Sequence, residues 1–344
     1  MKIAIVVLNY NGLADTLECL ESLKKLKKDG FEIITIVVDN NSQDGSPGTF
    51  SKLRRIVFIK NNQNLGYSGG NNVGIKLALR RGADYILILN NDTLVDQDLL
   101  VNLTRATKYA DIICPKIYFA PGFEFHKDRY PKSDQGRVIW YAGGRIDWQN
   151  ILGIHFGVDK VDHRQFSKRK EIDLATGACF LAKRKVFEKI GFFDEKYFLY
   201  LEDMDFCVRA KKAGFKILFE PKAVLWHKNA SSAGGSGSPL QDYYITRNRL
   251  LFAFKYASIR TKLAVFRQTL SQIGNSTKRQ AFLDFLKGKF GPGSFIFARR
   301  PPSSQTRRMN AKANTYLRGL RYLLAHVNLK EIPRPFRPRK FMKR

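Results

Sequence analysis

The stretch Ile34-Thr-Ile-Val-Val-Asp39-Asn-Asn-Ser-Gln-Asp44-Gly45-Ser46 joins an apolar run to a polar one. The apolar half predicts a buried strand that is covered on both faces of a sheet. Asn, Asp, Ser and Gly favour turns, so the polar half could be a turn and nothing more. A carboxylate at the end of a strand could also accept hydrogen bonds from a base or a ribose. Both interpretations of Asp39 are open at this point.

Similar runs to either side predict a regular alternation of strands and helices. We predict strands over residues 3–8, 33–38, 56–59 and 85–89, and helices over residues 13–28 and 71–81. This order is typical of βαβ units and a mostly parallel sheet. Ligands in such sheets bind at the carboxyl ends of the strands. Asn9, Asp39 and the run Asn90-Asn91-Asp92 all lie there.

The second half of the chain has a less regular pattern. We predict strands over residues 112–117, 138–146, 171–182 with a break at Thr176-Gly177, 216–219 and 223–226, and helices over residues 185–190 and 202–212. The Ser- and Gly-rich segment 231–239 is typical of a flexible linker or a lid. We therefore expect an α/β domain over residues 1–238 and a basic, mainly helical extension over residues 239–344.

Composition limits the class of protein. The 344 residues are 44% hydrophobic, which fits a globular protein with one large core. We find no apolar run of the roughly 18 residues that span a bilayer, and residues 1–9 are expected to be a strand, not a signal peptide. The four cysteines are far apart and form no CxxC pair, which favours buried thiols in the reducing cytoplasm.

Charge is concentrated towards the C-terminus. The chain carries a net +30, and residues 240–344 hold 24 Lys and Arg against 3 Asp and Glu. Such a tail attracts phosphate groups, on lipid or on nucleic acid. Residues 316–325 predict an amphipathic helix, which could lie on an anionic membrane surface or pack on the preceding domain.

The run Glu202-Asp203-Met-Asp205 places three carboxylates within four residues. Acidic residues are favourable at the start of a helix, so one of them could be a helix cap. Three of them, directly after the aromatic-rich run Phe198–Leu201, indicate the wall of a site with at least one carboxylate facing a ligand.

Two further side chains are candidate metal ligands. Asp92 could bind a divalent cation whose other ligands are diphosphate oxygens, although Asn-Asn-Asp is also a common turn sequence. His227 follows the apolar run 223–226, where a histidine is often structural. An imidazole is nevertheless a suitable partner for a carboxylate around Mn²⁺.

Seven motifs in a fixed order carry a family resemblance. They are Val37-Val-Asp39-Asn-Asn-Ser, Asn64-Leu-Gly66-Tyr-Ser-Gly-Gly-Asn-Asn72, Leu89-Asn-Asn-Asp92, Thr176-Gly-Ala, Gly191-Phe-Phe-Asp194-Glu, Glu202-Asp203-Met-Asp205 and Trp226-His227. This set resembles the inverting GT-A glycosyltransferases of family 2, and within them the rhamnosyltransferase-like branch. The match covers roughly residues 1–250.

The resemblance implies a Rossmann-like GT-A domain that binds a dTDP- or UDP-linked sugar with Mg²⁺ or Mn²⁺ and inverts the anomeric carbon. By position, Asp203 would be the general base, Asp39 would bind the base or ribose, and Asp92 and His227 would hold the metal. Asn90 replaces the first Asp of the family's DxD motif, so it can bind ribose but brings no charge. The other expected contacts are Asn9, Asn64, Gly66, Asn72, Asn90, Asp92 and Arg247 with the nucleotide sugar, and Glu202 and Trp226 with the acceptor.

The expected function is transfer of a sugar, with rhamnose as the candidate, to a cell-surface glycan or a lipid-linked acceptor. The basic tail would hold the enzyme at the inner, anionic face of the cell membrane. A nucleic-acid-binding protein would explain the tail but not the carboxylates, and we find no RNP, zinc or helix-turn-helix pattern, so no specific nucleic acid is expected. A sugar nucleotidyltransferase would need cations in the loop after the first strand, and residues 9–12 have none.

Overall fold

The computed structural model describes residues 1–228 and 238–295. Its strands are β1 (Lys2–Asn9), β2 (Glu32–Asp39), β3 (Val57–Lys60), β4 (Tyr85–Asn90), β5 (Thr93–Val95), β6 (Ile112–Phe119), β7 (Ile139–Tyr141), β8 (Gly144–Asp147), β9 (Leu152–His155), β10 (Lys170–Glu171), β11 (Cys179–Lys183) and β12 (Ile217–His227). Its α-helices are α1 (Leu13–Lys24), α2 (Ser46–Phe50), α3 (Gly66–Arg80), α4 (Leu99–Ala106), α5 (Arg184–Ile190), α6 (Glu202–Lys212), α7 (Pro239–Tyr256), α8 (Ile259–Ser271) and α9 (Ser276–Leu286).

One mixed, mostly parallel sheet organises these elements. Its strand order is β10-β12-β6-β11-β4-β1-β2-β3, with β5 paired to β12 and β7 paired to β6. β1 is parallel to β2 and β4, and β6 is parallel to β12. The antiparallel strand β11 lies between these two groups and pairs with β4 and β6. The register sets Asn9 beside Asp39 and Leu8 beside Asn90. The predicted α/β class with a mostly parallel sheet is thereby confirmed.

Close packing of α3 on the sheet explains the glycine-rich start of that helix. A Cβ atom at Gly70 would lie 2.4 Å from Leu8 Cδ1, and one at Gly74 would lie 2.4 Å from Val6 Cγ1. Only glycine lets the helix axis approach β1 this closely. The helix also begins at Gly66, five residues before the predicted start, because these glycines lie inside it.

Several predicted elements have different bounds. The predicted strand over 138–146 is two strands, because Gly143 has a φ of +93° between them. The strand predicted over 171–182 is interrupted, as expected, but over a longer stretch, because β10 ends at Glu171 and β11 begins at Cys179. In contrast, the predicted strands around Pro221 are one strand, β12, whose pairing with β6 shifts between Glu220 and Val224. Such a bulge accommodates a proline without ending the strand.

The helices after residue 238 belong to the same compact unit as the sheet, Met1–Phe295. α7 packs against both α8 and α9, and Phe252, Ala253, Ala281 and Phe282 are buried there. The predicted domain boundary after residue 238 stays a prediction. The predicted amphipathic helix at 316–325 lies outside the described residues. Within the described ranges, no helix is long and apolar enough to cross a bilayer.

Candidate active site

The carboxyl ends of β1 and β2 carry a buried polar cluster. Asn9 Nδ2 donates to Asp39 Oδ2 at 2.7 Å and to Ser42 Oγ at 3.0 Å. The backbone N–H of Ser42 donates to Asp39 Oδ1 at 2.9 Å. Thr16 Oγ1 donates to Asn9 Oδ1 at 2.8 Å and accepts from Asn91 Nδ2 at 2.9 Å. The polar residues after Asp39 therefore form a turn and also fix the direction of the carboxylate.

Asn64 and Gly66 hold the loop that leads into α3. Asn40 Nδ2 donates to Asn64 Oδ1 at 3.2 Å and to the carbonyl of Gly66 at 2.8 Å, while Asn61 Nδ2 donates to Asn40 Oδ1 at 2.8 Å. Gly66 has a φ of +70°, and a Cβ there would lie 2.4 Å from the carbonyl oxygen of Phe198. Gly66 is thus required for packing against protein, whereas the family resemblance predicts that it contacts the nucleotide sugar.

Asp92 lies two residues after the end of β4, beside His227, the last residue of β12. His227 Nε2 lies 3.0 Å from Asp92 Oδ1, and both residues are buried. Asn90 Nδ2 lies 3.5 Å from the same ring nitrogen. Burial acts to raise the pKa of Asp92, but the charge of His227 and its hydrogen bond lower the pKa overall. The sequence placed these two side chains together correctly, although 135 residues separate them.

This pair fits a divalent metal in part. A buried carboxylate beside an imidazole is a donor set that Mn²⁺ accepts. His227 Nδ1 is buried and has no hydrogen-bond partner among the described residues, while Nε2 faces Asp92. Within residues 1–228 and 238–295, three or more His, Cys, Asp or Glu side chains never cluster as a metal site. The protein thus offers two ligands, and a substrate would have to supply others.

Glu202 and Asp203 are the first two residues of α6, and their surroundings disfavour the ionised form of both carboxyl groups. Burial, with a further contribution from Asp203, raises the pKa of the Glu202 carboxyl well above its usual range. Glu202 Oε2 is buried without a hydrogen-bond partner among the described residues. Burial also raises the pKa of Asp203, and hydrogen bonds from the N–H groups of Gly177 and Met204 oppose part of that rise. A carboxylate with a raised pKa is a stronger base.

A chain of hydrogen bonds joins Asp203 to the end of β4. Asp203 Oδ2 accepts from the N–H of Gly177 at 3.0 Å. The carbonyl of the next residue, Ala178, accepts from the N–H of Asn90 at 2.9 Å. The two groups of polar residues predicted from the sequence, at residues 90–92 and 202–203, are therefore linked at the carboxyl end of β4.

The third carboxylate of the acidic run belongs to a different cluster. Asp205 is fully buried and bonds Arg209 Nε at 2.7 Å, Lys255 Nζ at 2.6 Å and Tyr256 Oη at 2.7 Å. Burial acts to raise the pKa of Asp205, but Arg209 and Lys255 lower the pKa overall. Asp205 thus anchors α6 to α7, and the site wall has two carboxylates instead of three.

The loop of residues 196–201 that presents Glu202 has an unusual backbone. Phe198, Tyr200 and Leu201 have φ angles of +64°, +69° and +69°. This left-handed conformation costs residues with a side chain roughly 1–2 kcal/mol each. The surrounding structure must therefore hold the loop in place.

Arg247 and Asn248 of α7 supply that support. Asn248 Nδ2 donates to the carbonyls of Tyr197, Leu199 and Tyr200 at 2.8 Å each. Arg247 Nη2 donates to the carbonyl of Tyr197 at 3.0 Å, and Nη1 donates to that of Gly291 at 2.8 Å. Arg247 is fully buried, and its guanidinium is used on backbone carbonyls, so the geometry does not support the predicted contact with a diphosphate. Asn248 was not among the candidate residues from the sequence, where its position next to Arg247 was the only signal.

Asn72 and Trp226 also contact protein groups. Asn72 Oδ1 accepts from the N–H of Phe193, and Nδ2 donates to the Phe193 carbonyl at 2.9 Å and to Glu195 Oε1 at 3.0 Å. Trp226 is half-buried, and its indole N–H donates to the carbonyl of Gly136 at 2.9 Å. Neither side chain's polar group is left for a ligand, so their predicted binding roles rest on the resemblance alone.

The sequence is related to those of known proteins. The model of the family described as Glycosyl transferase family 2 matches residues 4–191. The low-salt glycan biosynthesis hexosyltransferase Agl10 of Haloferax volcanii is 27% identical over 253 residues, which are 72% of this chain and 74% of that protein. The dTDP-rhamnosyl transferase RfbF of Shigella flexneri is 23% identical, over 74% of this chain and 80% of that one.

A third relative and a solved structure extend the comparison. The N-acetylglucosaminyl-diphospho-decaprenol L-rhamnosyltransferase of Mycobacterium tuberculosis is 25% identical, over 59% of this chain and 68% of that protein. The crystal structure of GalNAc-T7 with UDP, GalNAc and Mn²⁺ superposes with a TM-score of 0.56 at 15% identity, over 78% of this chain and 54% of that one. The chain therefore belongs to glycosyl transferase family 2, as a GT-A glycosyltransferase similar to rhamnosyltransferases.

Proposed function

We propose that the protein moves a sugar from a nucleotide-diphosphate donor to an acceptor hydroxyl by a single, inverting displacement with Asp203 as the general base. The observation that carries the proposal is the hydrogen-bonded path from Asp203 through Gly177 and Ala178 to Asn90. The path links the Asp203 carboxyl, whose pKa is raised, to the carboxyl end of β4, and Asp92 follows that end.

The donor's nucleotide would lie against the cluster of Asn9 and Asp39. Asp39 is fully buried in the protein, with both carboxylate oxygens already accepting hydrogen bonds. A carboxylate still has lone pairs for a base or a ribose hydroxyl. The relative from Shigella flexneri is named for a dTDP-linked donor, which supports dTDP-rhamnose as the first donor to test, with UDP-linked sugars next.

Asp92 and His227 would hold Mg²⁺ or Mn²⁺, whose chemistry is to neutralise the charge that develops on the leaving diphosphate. The protein's own contribution is to keep Asp92 ionised, since His227 lowers the pKa of its carboxyl. Glu202 and Asp203 would orient the acceptor hydroxyl and remove its proton, which contributes on the order of 10²–10⁴-fold in rate.

The acceptor would be a cell-surface glycan or its lipid-linked precursor, at the inner face of the membrane. The relative from Mycobacterium tuberculosis is named for a diphospho-decaprenol acceptor. The described helices α7 to α9 add positive charge, since residues 239–295 hold ten Lys and Arg against two Asp. That charge supports contact with an anionic membrane surface.

The test combines donor binding with turnover. Thermal shift against dTDP-, UDP- and GDP-sugars with Mn²⁺ should identify the donor. Asp203→Asn should bind that donor as the parent does, because Asn can still accept from Gly177, yet turn over about 10²-fold more slowly. Asp128→Asn, at an exposed position of the same charge, is the matched control and should behave as the parent. Near-normal turnover in Asp203→Asn would remove that residue from the role of base.

A further inference from the structure

A cavity lies outside the cluster of proposed catalytic residues. It has a volume of about 870 Å³, and its walls include the rings of His155, Phe156, Phe166 and Phe219. Gly157 has no side chain where Phe166 approaches, since a Cβ there would lie 2.7 Å from that ring. The cavity is thus walled by aromatic rings, and most of its lining comes from the loop between β9 and β10.

The charge around this cavity has one sign. Lys168, Arg169 and Lys170 line it, and none of its lining residues is acidic. Arg169 is paired with Glu220. Within the described ranges, Lys168 and Lys170 have no carboxylate partner, and Lys170 Nζ lies only over the ring of Phe156, 5.3 Å from its centroid. Two ammonium groups are therefore available to an anion at the mouth of the cavity.

The position of the cavity in the sheet separates it from the nucleotide. Asn9 and Asp39 end β1 and β2, near one edge of the sheet, whereas Phe219 and Lys170 belong to β12 and β10 at the opposite edge. A ligand in the cavity would therefore lie apart from the cluster of Asn9 and Asp39.

One aromatic ring connects the cavity to the reaction centre. Trp140 packs edge-on against His155, with ring centroids 4.8 Å apart, and against His227, with ring centroids 4.6 Å apart. His155 lines the cavity, and His227 pairs with Asp92. One side chain, Trp140, thus lies between a wall of the cavity and the proposed metal ligand His227.

We propose that this cavity binds the diphosphate group of the acceptor, with Lys168 and Lys170 contacting the phosphates and the aromatic walls contacting the apolar or sugar part next to them. The proposal rests on the proposed function for the identity of the acceptor. The cavity would then hold the diphosphate away from the carboxylates at residues 202–203, which would repel it.

The test uses the whole chain with EDTA present, so that a diphosphate cannot bind through a divalent cation at the donor site. Calorimetric titration with inorganic diphosphate and with geranyl diphosphate should show saturable binding. Lys168→Ala with Lys170→Ala should weaken both ligands at least about tenfold, because two charge-assisted hydrogen bonds are lost. Lys168→Arg with Lys170→Arg should keep the binding, since the charge is retained.

The control is Lys52→Ala with Lys189→Ala, two exposed lysines whose loss changes the net charge equally. It should bind both diphosphates as the parent does. Equal affinity in the two double-alanine variants, or binding of glucuronate without binding of either diphosphate, would overturn the proposal.

The proposed function has a separate readout. UDP or dTDP binding with Mn²⁺ should depend on Asp92 and not on Lys168 or Lys170. Loss of nucleotide binding with intact diphosphate binding would therefore count against the donor site alone.

Discussion

Asn248 offers the sharpest test of how the reaction centre is held. The change is Asn248→Ala, which removes donors to the carbonyls of Tyr197, Leu199 and Tyr200 and an acceptor for Arg247. Asn248 is fully buried, so water cannot easily replace these bonds. At about 0.5–1.5 kcal/mol for each lost bond, and more for each carbonyl left unsatisfied, we expect a loss of about 2–4 kcal/mol in the free energy of unfolding.

The same change should affect catalysis more than donor binding. The 196–201 loop holds three residues at positive φ, so without Asn248 it can relax towards an unstrained backbone. Glu202 and Asp203 come directly after this loop, and a displacement of about 1 Å at a reacting group can cost about 10²-fold in rate. We therefore expect kcat to fall about 10–100-fold while KM for the donor changes little.

The assay pairs urea unfolding, followed by circular dichroism, with steady-state kinetics. Asn248→Asp has the same shape but cannot donate, so it should be at least as damaging as Ala. Asn102→Ala is the matched control, because the partly exposed Asn102 makes one such bond, from Nδ2 to the carbonyl of Lys222 at 2.7 Å, and should cost less than about 1 kcal/mol. Parent-like stability and kcat in both Asn248 variants would refute this account of the loop.

Three further predictions concern pH, metal and membrane. Burial raises the pKa of Glu202 above its usual 4.5, so the protonated acid favours the folded state; this stabilisation is full at low pH and is lost as the pH rises. Glu202→Gln should therefore raise stability by about 1–2 kcal/mol in thermal melts at pH 8 and by nothing near pH 4, and a melting temperature lowered at pH 8 would contradict this. Asp92→Ala and His227→Ala should each weaken nucleotide binding with Mn²⁺ about tenfold or more, and EDTA should do the same to the parent; an unchanged metal requirement would make the assignment wrong. A chain truncated after residue 295 loses fourteen Lys and Arg against one Glu, so it should no longer sediment with anionic vesicles as the full chain does, and equal sedimentation of the two chains would exclude the tail as the anchor.

Features that depend on local pattern are predicted best from the sequence. Asn9, Asp39 and Asp92 were found because residues after an apolar strand must lie at its carboxyl end, and parallel strands bring those ends together. α6 was predicted with its bounds at residues 202–212 because both its acidic start and the glycine after it are local signals. The Asp92–His227 contact was predicted from the family resemblance, since nothing local joins positions 135 residues apart.

Features that depend on long-range packing were not predicted. Nothing near Asp205 shows that its partners are Lys255 and Tyr256, some fifty residues later. Arg247 has the charge that a diphosphate would attract, yet its carbonyl partners are recognisable only once α7 lies beside the 196–201 loop. Gly66 was expected to contact the nucleotide sugar, and only its distance to Phe198 identifies packing as the reason for a glycine there.

Several unfavourable features of the described residues meet at the start of α6. Glu202 is buried and Asp203 is partly buried, and the pKa of each carboxyl is raised. One oxygen of Glu202 has no partner among the described residues, and the loop before them has three residues at positive φ. Such costs persist only where surrounding contacts compensate for them.

Those contacts come from α7, which lies beyond the predicted boundary at residue 238. A catalytic domain that ended there would keep the proposed base and lose Arg247 and Asn248, the side chains that hold its loop in position. At least the first helix of the basic extension therefore holds the loop that precedes the proposed base.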